Sequence, residues 1–248
     1  MRLLQNIFAF FWALWGLVAF LLVIVIPTPI YAIVLFIGGK KYVPLFIWIN
    51  MHYLSAIVLW LYGIRVKVIG KELIAKDKAY VFVANHAAGV DVMATGVAMT
   101  HPAFFLAKNE ARYIPVFGFM VRMLSILVDR KSKESREKAM QYMLKTLREG
   151  YSLFLYPEGT RNRTSAPLKE FKDGAFRTAI AAQVPIAVQT LLNTKGVNNP
   201  NGVHLLPGKV TVVWNEPIET KGMTEADIPA LSERVRNIML KNLQTYSS

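Results

Sequence analysis

A histidine and an aspartate separated by four residues, His86 and Asp91, follow a short apolar run that is typical of a buried strand. A neutral imidazole can take a proton from a hydroxyl, and a nearby carboxylate can orient the ring and stabilise its developing charge. Positions five apart point about 140° away from each other on an ideal helix. The two side chains can therefore meet only if residues 87–90 form a turn, which Gly89 favours. The pair predicts a general base, His86, oriented by Asp91.

A second interpretation of this pair involves no catalysis. Asp91 can instead cap the N-terminus of a helix over residues 92–100, with His86 lying in the preceding turn. Spacing alone leaves both interpretations open. The sequence contains neither a cysteine nor a Gly-x-Ser-x-Gly motif. If the site is catalytic, we therefore expect direct attack by an acceptor hydroxyl rather than a covalent enzyme intermediate.

Another polar group, Tyr156-Pro157-Glu158-Gly159-Thr160-Arg161, follows a second strand-like run. The planar guanidinium of Arg161 can bind a phosphate through two parallel hydrogen bonds. Lys108 and Arg130 can complete a cationic cluster around such a phosphate, although a solvated surface charge is the default interpretation of any single basic residue. Together, His86 and Arg161 predict base-assisted transfer of a group onto a phosphorylated alcohol.

Short β-rich runs alternate with helix-like stretches after residue 64. The runs cover residues 65–69, 80–84, 103–107, 125–128, 152–156, 185–189 and 209–214. Their continuous apolar character is typical of strands covered on both faces. The alternation predicts an α/β fold with a mainly parallel sheet flanked by helices. Ligands of such sheets bind beyond the carboxyl ends of the strands, where both polar groups would converge.

Two helices are also predicted in this part of the chain. Apolar residues recur at helical spacing between Ser135 and Gly150, and Gly150 is a plausible terminator. Thr224 and Asp227 have the spacing of a capping pair for a last helix. The first of these helices faces the core rather than a cofactor.

The first 64 residues contain no acidic residue and three basic ones. The run over residues 7–26 is apolar apart from Gly16 and would span roughly 30 Å as a helix, one hydrocarbon thickness. Pro27 and Pro29 interrupt it, and a charged bend at residues 38–41 separates it from the apolar stretch 42–62. We expect an N-terminal apolar helical hairpin over residues 1–64 as a membrane anchor, followed by one catalytic domain over residues 65–248.

The position of the hairpin in the membrane depends on its basic residues. Two full crossings would leave Lys40 and Lys41 on the far side, against the usual basic bias of cytoplasmic loops, so we favour a hairpin within one leaflet. A hairpin packed in the core of a soluble protein is the alternative. A cleavable signal peptide is not expected, because the apolar core is too long.

The remaining composition narrows the classes of partner. Residues 65–248 carry 26 basic against 16 acidic residues, which favours an anionic membrane surface and anionic substrates. No nucleic acid is expected as a partner, because no recognised binding motif is present. His52, His101 and His204 lack the surroundings of a metal site, and the absence of cysteine excludes disulfides.

Four ordered blocks of the sequence resemble the 1-acylglycerol-3-phosphate acyltransferase family of glycerophospholipid acyltransferases, over roughly residues 65–215. The blocks are Asn85-His86 with Asp91; Lys108-Asn109-Glu110 through Pro115 and Gly118 to Asp129-Arg130; Tyr156 to Arg161 with residues 171–175; and Val184-Pro185-Ile186. A single His-x4-Asp pair can arise by chance. The four blocks in family order carry the resemblance.

The resemblance implies a membrane-anchored enzyme that transfers a fatty acyl group to the sn-2 hydroxyl of 1-acylglycerol 3-phosphate, giving phosphatidic acid. It implies acyl-CoA or acyl carrier protein as co-substrate, no further cofactor, and a location on the cytoplasmic face of the membrane. It also assigns Glu158, Gly159 and Thr160, with Arg161, to the acceptor site. The oligomeric state stays open.

Three positions depart from the common family pattern. Ala88 stands where many members have serine, Asn162 stands where serine is usual, and Val188 stands where a second proline is common. They leave the acceptor open, because relatives on this scaffold acylate other lyso-lipids, including those built on amino acids. A non-catalytic protein that binds the membrane surface is the alternative from another class.

Overall fold

The computed structural model of the protein describes residues 2–115, 117–201 and 204–246. Its centre is a seven-stranded sheet in the order β1-β7-β6-β2-β5-β3-β4. All neighbouring strands are parallel except the β6–β7 pair, which is antiparallel. The strands are β1 (Ile64–Ile69), β2 (Val81–Ala84), β3 (Ala103–Lys108), β4 (Ser125–Val128), β5 (Ser152–Leu155), β6 (Ile186–Leu192) and β7 (Gly208–Trp214). The prediction of a mainly parallel α/β sheet is confirmed.

Helices precede the sheet and cover both of its faces. They are α1 (Arg2–Val25), α2 (Thr28–Gly38), α3 (Val43–Trp48), α4 (Ser55–Leu61), α5 (Asp91–Ala98), α6 (Phe117–Leu124), α7 (Lys133–Arg148), α8 (Gly174–Ala182), α9 (Thr194–Val197) and α10 (Ile228–Thr245). Short 3-10 turns cover Lys40–Tyr42, Lys71–Leu73, Asn109–Tyr113 and Glu225–Asp227, and a π-helical turn covers Ile49–Leu54. The predicted capping box at Thr224 and Asp227 is present just before α10.

The central strand β2 shows why this sequence forms a covered sheet. Its four residues are apolar and fully buried. Val81 and Val83 pack into the apolar layer that contains α7, α8 and α10, whereas Phe82 and Ala84 pack into the layer under α4 and α5. A strand needs apolar residues on both faces when helices lie on both sides of the sheet. The continuous apolar run therefore suits β2 to its central position in the sheet.

The N-terminal helices form the expected hairpin, with a break between α1 and α2 at Pro27. Two helical stretches, Leu4–Gly38 and Lys40–Leu61, are long and apolar enough to cross a membrane. Most large apolar side chains of α1 are exposed. The π-helical turn within the second stretch was not predicted, because apolar periodicity carries no signal for the wider hydrogen-bond spacing.

Close contacts hold the hairpin together and join it to α5. The indole nitrogens of Trp12 and Trp15 donate hydrogen bonds of 3.0 Å to the carbonyl oxygens of Tyr62 and Leu61. A Cβ atom on Gly96 of α5 would collide with the backbone carbonyl of Met51, in the π-helical turn. Glycine at this position lets α5, which begins at Asp91, pack directly on the hairpin.

Candidate active site

The turn between β2 and α5 brings the imidazole of His86 against the carboxylate of Asp91. His86 Nδ1 lies 2.8 Å from Asp91 Oδ2. The same oxygen accepts hydrogen bonds from the backbone amides of Ala87 at 2.5 Å and Ala88 at 2.7 Å. The Asp91 side chain is 0% exposed and that of His86 is 16% exposed. The carboxylate is therefore sealed from solvent while the imidazole keeps access to the surface.

These bonds bear on the helix-cap interpretation of Asp91. Asp91 is the first residue of α5, and its carboxylate bonds backward to the turn rather than forward to the helix amides. It is therefore not a helix cap. An ionised carboxylate only accepts hydrogen bonds, so we assign the proton between the two groups to Nδ1. In the neutral imidazole, Nε2 then carries the lone pair that can take a proton from a hydroxyl.

The ring of His86 stacks on Tyr156, with 4.1 Å between the ring centroids and 18° between the ring planes. The Tyr156 hydroxyl lies 3.4 Å from Thr95 Oγ1, and Thr95 donates a 2.8 Å hydrogen bond to Gln189 Oε1. Burial, and secondarily the negative charge of Asp91, raise the pKa of Tyr156 well above its usual value. The neutral ring of Tyr156 thus stacks on the imidazole and restricts the orientation of the imidazole plane. Sequence reasoning missed this role, although Tyr156 begins the second polar block.

Glu158 ties the two polar blocks together through backbone amides. Its Oε1 accepts from His86 N at 2.8 Å and its Oε2 accepts from Lys169 N at 2.9 Å. The residue is 3% exposed, and burial raises the pKa of its carboxyl while the two amide bonds act in the opposite direction. The parallel register pairs Val83 with Leu155, so His86 and Glu158 each lie three residues beyond a paired position. Both carboxylate oxygens accept hydrogen bonds from backbone amides, which favours a structural role beside the predicted acceptor site.

Arg161 lies next to the His86 turn. Its Nη1 is 3.8 Å from the position that a Cβ atom would take on Gly89. The residue is exposed, so its donors can reach a ligand. In the same loop, the backbone amide of Asn162 donates a 2.6 Å hydrogen bond to the backbone carbonyl of His86. The predicted base and the predicted phosphate-binding arginine therefore share one edge of the sheet.

The other predicted binding residues lie around this edge. Gly159 has a φ of 73°, a left-handed conformation that favours glycine, and Arg130 Nη1 is 3.2 Å from the position of a Cβ atom there. The Thr160 hydroxyl accepts a 2.6 Å bond from Lys169 Nζ. Lys108 Nζ pairs with Glu110 at 2.9 Å and its side chain is 67% exposed. Arg130 is thus beside the loop of Arg161, whereas Lys108 is engaged by a neighbouring acid.

The three departures from the family pattern are buried. Ala88 and Val188 are 0% exposed, and Asn162 is 1% exposed. The side chain of Asn162 closes its own loop by donating to the Ala166 carbonyl at 2.8 Å and accepting from the Thr164 amide at 3.0 Å. Their side chains therefore serve the packing of the turn, the loop and the sheet.

A cleft of about 320 Å³ opens between α1 and the His86 turn. Its lining is mostly apolar and includes Gly16, Leu17 and Phe20 of α1, together with Gly89, Val90, Met93 and Leu205. Within the described residues, no group of three or more His, Asp or Glu could hold a metal ion. The arrangement can therefore offer a base, a cation and an apolar surface to one ligand.

Comparison with known proteins identifies the family of the chain. The Acyltransferase family model matches residues 65–189, which include His86, Asp91 and Arg161. The chain is 30% identical over 204 residues to human 1-acyl-sn-glycerol-3-phosphate acyltransferase alpha, covering 80% of this chain and 72% of that protein. It is 29% identical over 198 residues to the 1-acyl-sn-glycerol-3-phosphate acyltransferase of Borreliella burgdorferi, covering 79% of each.

The fold has a counterpart among solved structures. The crystal structure of the 1-acyl-sn-glycerophosphate acyltransferase of Thermotoga maritima superposes with a TM-score of 0.78 and 22% sequence identity, over 98% of each chain. The family model and the sequence relatives show that the protein is a transferase. The chain belongs to the acyltransferase family, and the resemblance predicted from its four sequence blocks is confirmed.

Proposed function

We propose that this acyltransferase moves a fatty acyl group from acyl-CoA or acyl carrier protein to the sn-2 hydroxyl of 1-acylglycerol 3-phosphate, forming phosphatidic acid. The observation that carries the proposal is the imidazole of His86, bonded to buried Asp91, in a turn whose Gly89 lies against the exposed Arg161. One acceptor that has a hydroxyl and a phosphate can engage both groups. The names of the relatives support the same acceptor.

In the proposed reaction, Nε2 of His86 takes the proton of the acceptor hydroxyl as its oxygen attacks the thioester carbonyl. Asp91 stabilises the imidazolium that forms, because its negative charge lies 2.8 Å from Nδ1. When the tetrahedral intermediate collapses, the carbon–sulfur bond breaks and the imidazolium returns its proton to the leaving thiolate. The products are the acylated acceptor and the free thiol of the donor. Arg161, with Arg130 beside its loop, would hold the phosphate throughout.

The N-terminal helices support a reaction at a lipid surface. Residues 1–64 would form the membrane anchor and residues 65–248 the catalytic domain. The apolar cleft beside α1 leads to Gly89 in the His86 turn, so the acyl chain of a lyso-lipid can lie there while its head reaches the base. We place the site at the cytoplasmic face on the basis of the acyl donors that the family resemblance implies. The hairpin would bring the enzyme to an acceptor already in the membrane.

The proposal is tested by product analysis with a panel of acceptors. The purified full-length enzyme in detergent or liposomes receives each lyso-lipid with either acyl-CoA or acyl-loaded carrier protein, and mass spectrometry identifies the products. We expect phosphatidic acid from lysophosphatidic acid. Turnover of a lyso-amino-acid lipid without turnover of lysophosphatidic acid would overturn the choice of acceptor.

Replacing Arg161 should raise KM for a phosphorylated acceptor more than it lowers kcat. Hydrogen bonds to charged groups contribute about 1.5–3 kcal/mol, so Arg161→Ala should lower kcat/KM for lysophosphatidic acid roughly 10- to 10²-fold, mainly through KM. Arg163→Ala, an exposed arginine two residues away, is the matched control and should remain near wild type. An unchanged KM in Arg161→Ala would contradict the phosphate-binding role.

A further inference from the structure

Residues 194–201, which we call the brace, follow β6 and lie outside the residues 65–189 that the family model matches. Thr194 and Val197 are 2% and 3% exposed and fix the brace to the body of the domain. The backbone is tied in as well, because the amide of Leu206 donates a 2.8 Å bond to the Val197 carbonyl. Three polar side chains of the brace, Lys195, Asn198 and Asn201, follow each other at intervals of three residues.

The first contact of the brace is with the His86 turn. Asn198 Oδ1 accepts a 2.8 Å hydrogen bond from the amide of Gly89. Asn198 Nδ2 donates at 3.0 Å to the carbonyl of His204, so both ends of the side-chain amide are held. The preceding amides of the turn, at Ala87 and Ala88, bond to Asp91. The backbone amides of Ala87, Ala88 and Gly89 therefore all bond to side chains. The first two bond to Asp91 and the third bonds to Asn198 of the brace.

The second contact of the brace is with the loop that carries Arg161. Lys195 Nζ donates a 2.9 Å hydrogen bond to the carbonyl of Thr164. Asn201 Nδ2 donates at 3.3 Å to the carbonyl of Arg163. The same short segment therefore bonds to the turn of the predicted base and to the loop of the predicted phosphate ligand.

We infer that the brace is a positioning element for acyl transfer, and that Asn198 is the residue through which it holds the base. An acceptor bound at both ends needs a fixed distance between the imidazole and the guanidinium. Misplacement of a reacting group by about 1 Å can cost roughly 10² in rate. The inference rests on the proposed function of His86 and Arg161, and it adds a residue outside the motifs that suggested that function.

The test compares three asparagine variants of the full-length enzyme. Asn198→Ala removes the acceptor of the Gly89 amide, so kcat should fall about 10- to 10²-fold. Asn198 also borders the apolar cleft, but KM should change less than kcat, because the bonds to the Arg161 loop remain. Asn198→Asp keeps an oxygen for the Gly89 amide but replaces the donor to the His204 carbonyl with a second acceptor, so it should recover only part of the lost kcat. Asn237→Ala, on the exposed side of α10, is the matched control and should behave as wild type.

Hydrogen exchange measured by mass spectrometry gives a readout that does not depend on turnover. In Asn198→Ala, exchange should accelerate in peptides that cover residues 84–92 and stay unchanged in peptides of β7. Wild-type exchange together with wild-type kcat would overturn the inference, and so would acceleration across the whole domain with a lowered melting temperature. If the wild-type enzyme acylates no acceptor in the panel, the proposed function fails, and local exchange still decides whether the brace holds the turn.

Discussion

Replacing His86 by alanine should reduce kcat for acyl transfer by about 10²- to 10⁴-fold, the usual contribution of a positioned general base. The side chain is 16% exposed, and its Nδ1 is bonded to Asp91 while Nε2 is left for the acceptor hydroxyl. KM for the lyso-lipid should change little, because Arg161 and the apolar cleft remain. Steady-state kinetics with the preferred donor and acceptor measure both constants.

A second histidine offers the control for this variant. His101 lies at the opposite, amino-terminal edge of the sheet, where its Nε2 is 2.7 Å from Ser152 Oγ at the start of β5. His101→Gln should therefore affect the melting temperature rather than kcat of the folded enzyme. Full-rate transfer by a folded His86→Ala enzyme would exclude His86 as the base.

Replacing Asp91 by asparagine should remove a negative charge without disrupting the His86 turn. Asp91 Oδ2 accepts all three hydrogen bonds of the carboxylate, from His86 and from two backbone amides. The other oxygen, Oδ1, is buried and has no hydrogen-bond partner among the described residues. The oxygen of an asparagine can therefore keep the three bonds while its amino group takes the place of Oδ1.

Under this geometry, Asp91→Asn keeps the imidazole oriented but loses the negative charge that stabilises the imidazolium. Removing one preorganised electrostatic group typically costs about 10²–10³ in kcat, and we expect a loss of that size here. The melting temperature should stay near that of wild type. Asp173→Asn, an exposed aspartate before α8, is the control for charge loss and should keep wild-type kinetics. Undiminished kcat in Asp91→Asn would show that orientation alone matters.

The strands of this protein were predictable because their signal is local. All seven predicted runs became strands, with ends that moved by at most three residues. Buried parallel strands need apolar residues on both faces, so each strand can be recognised in the sequence as a short apolar run. The break at Pro27 and the left-handed Gly150 after α7 were equally predictable, because proline and glycine act on their own backbone.

The role of Glu158 was less predictable. A carboxylate beside a phosphate-binding arginine was difficult to interpret from sequence, because its partners are backbone amides, which have no residue signature. The structure shows those partners to be the amides of His86 and Lys169. Likewise, stacking of Tyr156 on His86 depends on which strands are neighbours.

By itself, the sequence determined the chemical groups of the site, since residue types and their positions at strand ends are local properties. It also determined the apolar N-terminal helices and the class of the sheet. The tertiary structure decided which groups meet: strand order and register place His86 opposite Glu158, and the chain returns 109 residues later to place Asn198 against Gly89. Such contacts depend on how distant segments cross and pair, and no local pattern of side chains records that path.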